Sequence, residues 1–287
     1  MKQPLTVLGF GAVTPYTRPN APPGPADALG ATLPGCDAHG ELPKLDLVLL
    51  ERTLRRGLSE VTRLFMHAAK LALDDAGREP VPMHVIFASA FGEIATAEAL
   101  LAEAYDQDGS SPARFRNSVH NTAPGLLSIS THNHLSCTAV AAGWDTVPMA
   151  LFEAAGQLAS QAETVLLVFA EERVPLALSA QHPHGPLGAA FVLTRAAAPG
   201  ARVRGSLRNL RRKPRSELDV SRLPSDARYD PHPLASVLAL VEALSVCGAQ
   251  AEPARTSSPA PGTRTRTLAL SDGTDPWCID VHTGEQS

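Results

Sequence analysis

The sequence predicts an α/β fold: a mixed five-stranded sheet with helices on both faces and a buried central helix. Three observations predict it. Aliphatic, β-prone runs such as Thr164–Ala170 alternate with helical patterns such as Leu58–Ala76. A short apolar run, Cys137–Ala142, turns sharply at Gly143 into an apolar helix, Asp145–Ser160, with Val147, Ala150, Leu151, Ala154 and Leu158 at helical spacing. The composition is 44% hydrophobic but only 5% aromatic, which supplies a core and favours Ala-rich helices packed closely.

Taken in order, Leu5–Val13 reads as a buried first strand. Its Gly9-Phe10-Gly11 invites a dinucleotide-binding reading, but Pro15 follows, no helix starts there and the third Gly is missing. Asn20–Pro43 is a Pro- and Gly-rich loop, and its Cys36 and His39 lack the further ligands a metal needs. Leu58–Ala76 is an amphipathic helix with Val61, Leu64, Phe65, Ala68, Leu71 and Ala72 in one stripe and Gly77 as its stop. Ser59 and Arg63 belong to its polar face. Met83–Ser89 is a second strand, and Ala90-Phe91-Gly92-Glu93 turns from it into a helix running through Leu101 and Tyr105. Glu93 reads as a carboxylate for that helix N-terminus. After Ser111-Pro112 comes a helix, Asn121–Thr131. Glu171-Glu172 ends the strand Thr164–Ala170 and reads as a pair of carboxylates at the surface, at the end of the sheet. Gly188–Thr194 and Val203–Leu210 are further strands. A polar linker, Ser216–Pro233, precedes a helix, Pro233–Val246; a low-complexity stretch, Ala251–Gly262, precedes a hairpin, Arg266–Val281, with Asp272-Gly273 as its turn and Trp277 as its anchor.

The central stretch carries a resemblance. Asn121, Gly125, Ser128 and Ile129 fall in the register of N-x-x-A-G-x-[IVL]-S-I, with Pro124 in place of the small residue before the Gly. A strand and a tight turn follow. Gly11-Ala12-Val13-Thr14-Pro15 is similar to a G-x-V-T-P-like phrase closing a first strand. In this the chain resembles the N-terminal half of the β-ketoacyl synthases, of the thiolase-like superfamily. Ser118-Val119-His120-Asn121 resembles the S-V-H-N hallmark of a short chain-length-factor-like group from aryl-polyene and xanthomonadin-type pathways. The resemblance covers roughly residues 5–210. It implies a synthase-like domain over residues 1–212, with 213–287 forming a linker, one helix and a hairpin packed on it.

The resemblance places the family's nucleophilic Cys at or next to Trp144, where this chain reads Gly143-Trp144-Asp145-Thr146. Trp144 forms no thioester, and Asp145 at the helix start raises rather than lowers the pKa of any thiol nearby. The phrases H-G-T-G-T and G-F-G-G-x-N, which hold the family's two catalytic His residues, are absent. No catalytic residue is therefore assigned, and Trp144 and Asp145 mark a degenerate nucleophile position. The resemblance implies a non-catalytic subunit that pairs with a full-length ketosynthase and meets its acyl carrier protein. Asn121, Gly125, Ser128, Ile129 and Trp144 would then lie along the shared interface or tunnel. Arg208, Arg211, Arg212 and Lys213, in the basic run RNLRRKPR, are candidates for docking the acidic carrier.

Two other readings stand beside this one. The first is an active acyltransferase with Cys137 or another untypical nucleophile. The second is a metal-binding protein using His120, His132, His134 and Cys137. No carboxylate completes that metal set, and the expectation is no metal and no cofactor. A formal charge of −4 lacks the basic signature of nucleic-acid binding. No run approaches the roughly 18 apolar residues of a membrane span. The N-terminus lacks a signal-peptide pattern, and the four scattered Cys residues fit a reducing compartment, so a cytoplasmic protein is expected.

Overall fold

The computed structural model describes residues 3–14, 42–80, 82–106, 111–160, 162–175, 177–178, 184–218, 232–245, 264–271 and 274–283. Cys36, His39, the low-complexity stretch, most of the linker and the Asp272-Gly273 turn lie outside them. The strands are β1 (Leu5–Val13), β2 (His84–Ala88), β3 (Cys137–Val140), β4 (Thr164–Glu171), β5 (Leu187–Thr194), β6 (Gly205–Arg212), β7 (Arg264–Ala269) and β8 (Trp277–Thr283). The helices are α1 (Glu60–Ala76), α2 (Ile94–Asp106), α3 (Pro112–Arg116), α4 (Thr122–Thr131), α5 (Thr146–Ser160) and α6 (Ala235–Ser245).

All eight strands form one mixed sheet in the order β3-β2-β4-β5-β1-β6-β8-β7. The expected number of five is corrected: β6 and the C-terminal hairpin continue the same sheet through the β6–β8 pairing. The β3-β2-β4 side is parallel, and every pairing from β4 through β7 is antiparallel. β4 and β5 sit inside this order and are buried along their length apart from Thr164, which explains their unbroken aliphatic character.

Two cores flank the sheet. On one face α1 and α4 pack on Val85, Phe87, Leu166, Val168 and Val192; on the other α5 and α6 pack on Ile86, Leu167, Phe169, Phe191 and Val281. α1 starts at Ser59, whose side chain accepts from Thr62 N–H, and ends at Gly77 in the left-handed conformation. The two glycines of β1 let α1 approach the sheet. A β-carbon at Gly9 would fall 2.4 Å from Ala76 N, and one at Gly11 would fall 2.4 Å from Leu71 Cβ. The Gly-x-Gly phrase therefore serves helix packing. β1 is irregular between Val7 and Gly9, and Phe10 N–H donates to Asp75 Oδ2 at 3.1 Å. That carboxylate also takes Arg204 Nε at 2.9 Å, and both side chains are nearly buried.

Candidate functional site

The site is built at the edge of the sheet. β3 is the outermost strand: it pairs in parallel with β2 on one side, and no described strand covers its other side. The loop into it is fixed by Asn133, whose Nδ2 donates to Met83 O at 2.6 Å, and by Ser128 Oγ, which donates to Asn133 O. Beyond β3 the chain turns at Gly143 (φ +55°) through a single 3-10 turn into α5. Thr146 Oγ1 donates to Gly143 O at 2.7 Å and accepts Ala142 N–H at 3.1 Å, locking the turn with groups of the chain itself. α5 is the buried central helix, with Val147, Ala150, Leu151 and Ala154 fully enclosed.

Trp144 stands at this turn and is 50% exposed. Cys137 lies at the other end of β3 from it. Cys137 is half-buried, and desolvation pushes its thiol pKa up, away from the thiolate that a nucleophile needs. Ile129 is 61% exposed and Asn121 is exposed, whereas Gly125 and Ser128 are half-buried. Phe115, Val119 and Leu135 are further large apolar side chains left exposed in the same stretch of chain.

The metal reading does not assemble. His120 Nε2 meets Ser89 O at 3.1 Å, which requires the proton on Nε2. His132 forms the left-handed C-cap of α4, and His134 is exposed. Among the described residues no group of three or more His, Cys, Asp or Glu side chains is placed to hold a metal ion.

The basic run divides. Arg211 pairs bidentately with Asp280 at 3.0 and 3.1 Å. Burial raises the Asp280 pKa, but hydrogen bonds from Arg211, Thr267 and Asn209 outweigh it and hold the carboxyl below its usual value. Arg212 lies over the Trp277 ring at 5.4 Å, with Phe152 of α5 edge-on to the same ring at 5.3 Å. Lys213 is 4.0 Å from Glu217, and Arg208 Nε donates to Ser206 Oγ at 3.1 Å.

Sequence reasoning missed a cluster of carboxylates. Glu171 and Glu172 are buried, not on the surface, which corrects the expectation for the end of β4. Glu171 accepts from Ser89 Oγ and from the Ala90 and Phe91 N–H groups, both at 3.0 Å. Glu172 accepts Ala95 N–H at 2.9 Å and Val61 N–H at 3.3 Å, bridging the first turns of α2 and α1. Glu93 accepts from the hydroxyls of Ser59 (2.9 Å), Thr62 (2.8 Å) and Thr96 (3.3 Å). Desolvation pushes Glu171 and Glu172 up to about 7 each and raises Glu93. The adjacent Glu-Glu at a strand end was the available signal, but its burial depends on where α1 and α2 begin.

Among the described residues no helix is long and apolar enough to cross a membrane. No curated protein matches this sequence. Solved structures do. A chain in the complex of the ketosynthase ApeO with its chain length factor ApeC from Xenorhabdus doucetiae matches at 20% identity and a TM-score of 0.66, over 98% of this chain and 100% of that one. The ishigamide ketosynthase/chain length factor matches at 16% identity and a TM-score of 0.70, over 99% of this chain and 100% of that one. A type II polyketide synthase complex, AntDE:AntF, of an acyl-carrier protein with its hexaketide-bound ketosynthase matches at 13% identity and a TM-score of 0.55, over 76% of this chain and 65% of that one. At these identities the likeness is one of fold. The model of the β-ketoacyl synthase N-terminal domain matches residues 33–254, well over half of the sequence, and the chain belongs to that family.

Proposed function

We propose that the chain is a non-catalytic, chain-length-factor-like subunit that pairs with a full β-ketoacyl-ACP synthase in fatty-acid- or polyene-type chain elongation in the cytoplasm. The observation that carries this is the turn after β3. Where the resemblance places the family's nucleophile, at or next to Trp144, this chain has Gly143 and an exposed Trp144, with Thr146 closing the start of the helix.

The two margins of the sheet support the pairing. β7, at one margin, carries Arg264 and Arg266 on exposed positions, the kind of charge that discourages strand addition. β3, at the other, is Cys-Thr-Ala-Val, with exposed Val119, Ile129, Leu135 and Trp144 in the adjoining chain. An obligate contact on that side would bury about 2,000 Å² or more. The ketosynthase would add to the β3 margin, with Asn121, Gly125, Ser128 and Ile129 near the contact and Trp144 as the plug at its centre. Carrier docking would fall to Arg208, Arg212 and Lys213, because Arg211 is engaged by Asp280.

Co-expression with candidate ketosynthases, followed by size-exclusion chromatography with light scattering, tests the pairing. A one-to-one complex is expected; a chain that stays monomeric beside every candidate would overturn it. Incubation with acyl carrier thioesters and intact-mass spectrometry tests the lack of catalysis. An unmodified mass is expected, and an acyl adduct on Cys137 would overturn it.

A further inference from the structure

α2 stands off the body of the molecule. Of its 13 residues only Leu100 is buried. Ile94 is half-buried, whereas Leu101 and Tyr105 are 56% and 89% exposed. Ile94, Leu101 and Tyr105 recur at i, i+7 and i+11, so they share one stripe, roughly 100–140° round the helix from Leu100. An apolar stripe of this kind belongs against a core, and here it is left in the open.

The helix is held in this pose from its other face. Glu103 Oε2 accepts Ser111 N–H at 3.2 Å, and the same carboxylate pairs with Arg114 of α3. α2 and α3 are thereby joined, and α3 adds Phe115, also well exposed.

The β3 margin by itself is a small contact. Its 4 residues extend for roughly 13 Å. One added ladder of that length falls well short of the about 2,000 Å² that an obligate partner buries. The remainder has to come from surface next to that margin. Among the described residues 11 large hydrophobic side chains are exposed, and 7 of them lie between Leu101 and Trp144. The chain runs from α3 through Val119 to Ile129 and Trp144, so these positions follow one course from α2 to the β3 margin.

We propose that α2 and α3 form an arm that clasps the ketosynthase. The stripe of Ile94, Leu101 and Tyr105, with Phe115, seats in an apolar groove of the partner beside the contact made by β3. This rests on the pairing proposed above and extends it: β3 sets where the partner adds, and the arm supplies area that so short a strand lacks.

Calorimetric titration of Leu101→Glu, Tyr105→Glu and Phe115→Glu against a ketosynthase that binds the natural chain tests the arm. Each variant is expected to weaken association by about tenfold or more. Each should keep the thermal midpoint of the isolated chain, because the altered side chains are exposed. Arg266→Glu, a charge change at the far margin of the sheet, should bind with full affinity. Amide exchange within α2 of the natural chain should slow in the complex, a measurement that needs no variant. Full affinity in all three arm variants, an equal loss in Arg266→Glu or unchanged exchange in α2 would each overturn the arm and leave the pairing standing. A natural chain that binds no candidate ketosynthase would overturn the pairing, and the arm with it. A dimer of the chain alone that Leu101→Glu breaks would assign the stripe to a second copy and also overturn the proposal.

Discussion

The imidazole of His120 rests on Gly92: a β-carbon at position 92 would fall 2.5 Å from its Cε1. The same ring meets Ser89 O, so His120 pins the turn between β2 and α2 from above while Glu171 and Ser89 hold it from below. The S-V-H-N phrase thus has a physical role in this chain, since its His covers a backbone position that only glycine fills.

Gly92→Ala should therefore be costly. The position has φ +59°, where a side chain is strained, and the new methyl meets the ring. A loss of about 2–4 kcal/mol is expected from strain and overlap together, measured by urea denaturation. The double variant Gly92→Ala/His120→Ala should recover part of it, because the overlap is removed and the strain remains.

Asp75 and Arg204 form a nearly buried pair, and the same carboxylate serves the Phe10 N–H beside the irregularity of β1. Asp75→Ala should cost roughly 3–5 kcal/mol, because it leaves a buried guanidinium and a backbone donor without their acceptor. Arg204→Met should cost less, since it takes away the charge that needs a partner and leaves Asp75 holding Phe10 N–H. Thermal unfolding of the two variants side by side checks the order.

Ile129→Arg and Trp144→Ala change exposed side chains, so each should leave the stability of the isolated chain within about 0.5 kcal/mol of the original. On the proposed pairing, both should weaken ketosynthase association, by about tenfold or more for a central interface residue. Calorimetric titration against the partner measures this. Undiminished affinity in both variants would move the contact away from the β3 margin.

Trp277 joins the C-terminal hairpin to α5 through Phe152 and is flanked by Arg212. Trp277→Ala should loosen β7 and β8 without unfolding the β2–β4–β5 centre. Amide exchange of Leu268 and Ile279, compared with that of Leu166, reports the difference.

Much of this architecture was legible in local sequence. The stripe from Val61 to Ala72, the stop at Gly77 and the aliphatic run of β4 each carry their own periodicity, and the structure follows them closely. The sharp entry into the central helix was legible as well, and α5 begins at Thr146. What failed was nonlocal. Nothing within Arg264–Thr283 says that it pairs with β6, so the sheet is wider than expected. Glu171 and Glu172 look like surface residues until two helix N-termini are brought to them by elements more than 70 residues away in sequence. Arg211 was read as free charge because Asp280 lies 69 residues further on.

The unlike margins of the sheet also limit how such a molecule associates. A ladder of strands with arginines on one rail and none on the other can be lengthened once, from the bare side, and the addition then covers the site where it occurred. On the proposed pairing, growth of that kind would stop at two partners and make no fibre, and the guanidinium groups of Arg264 and Arg266 would act on assembly size without touching whatever binds at the far side.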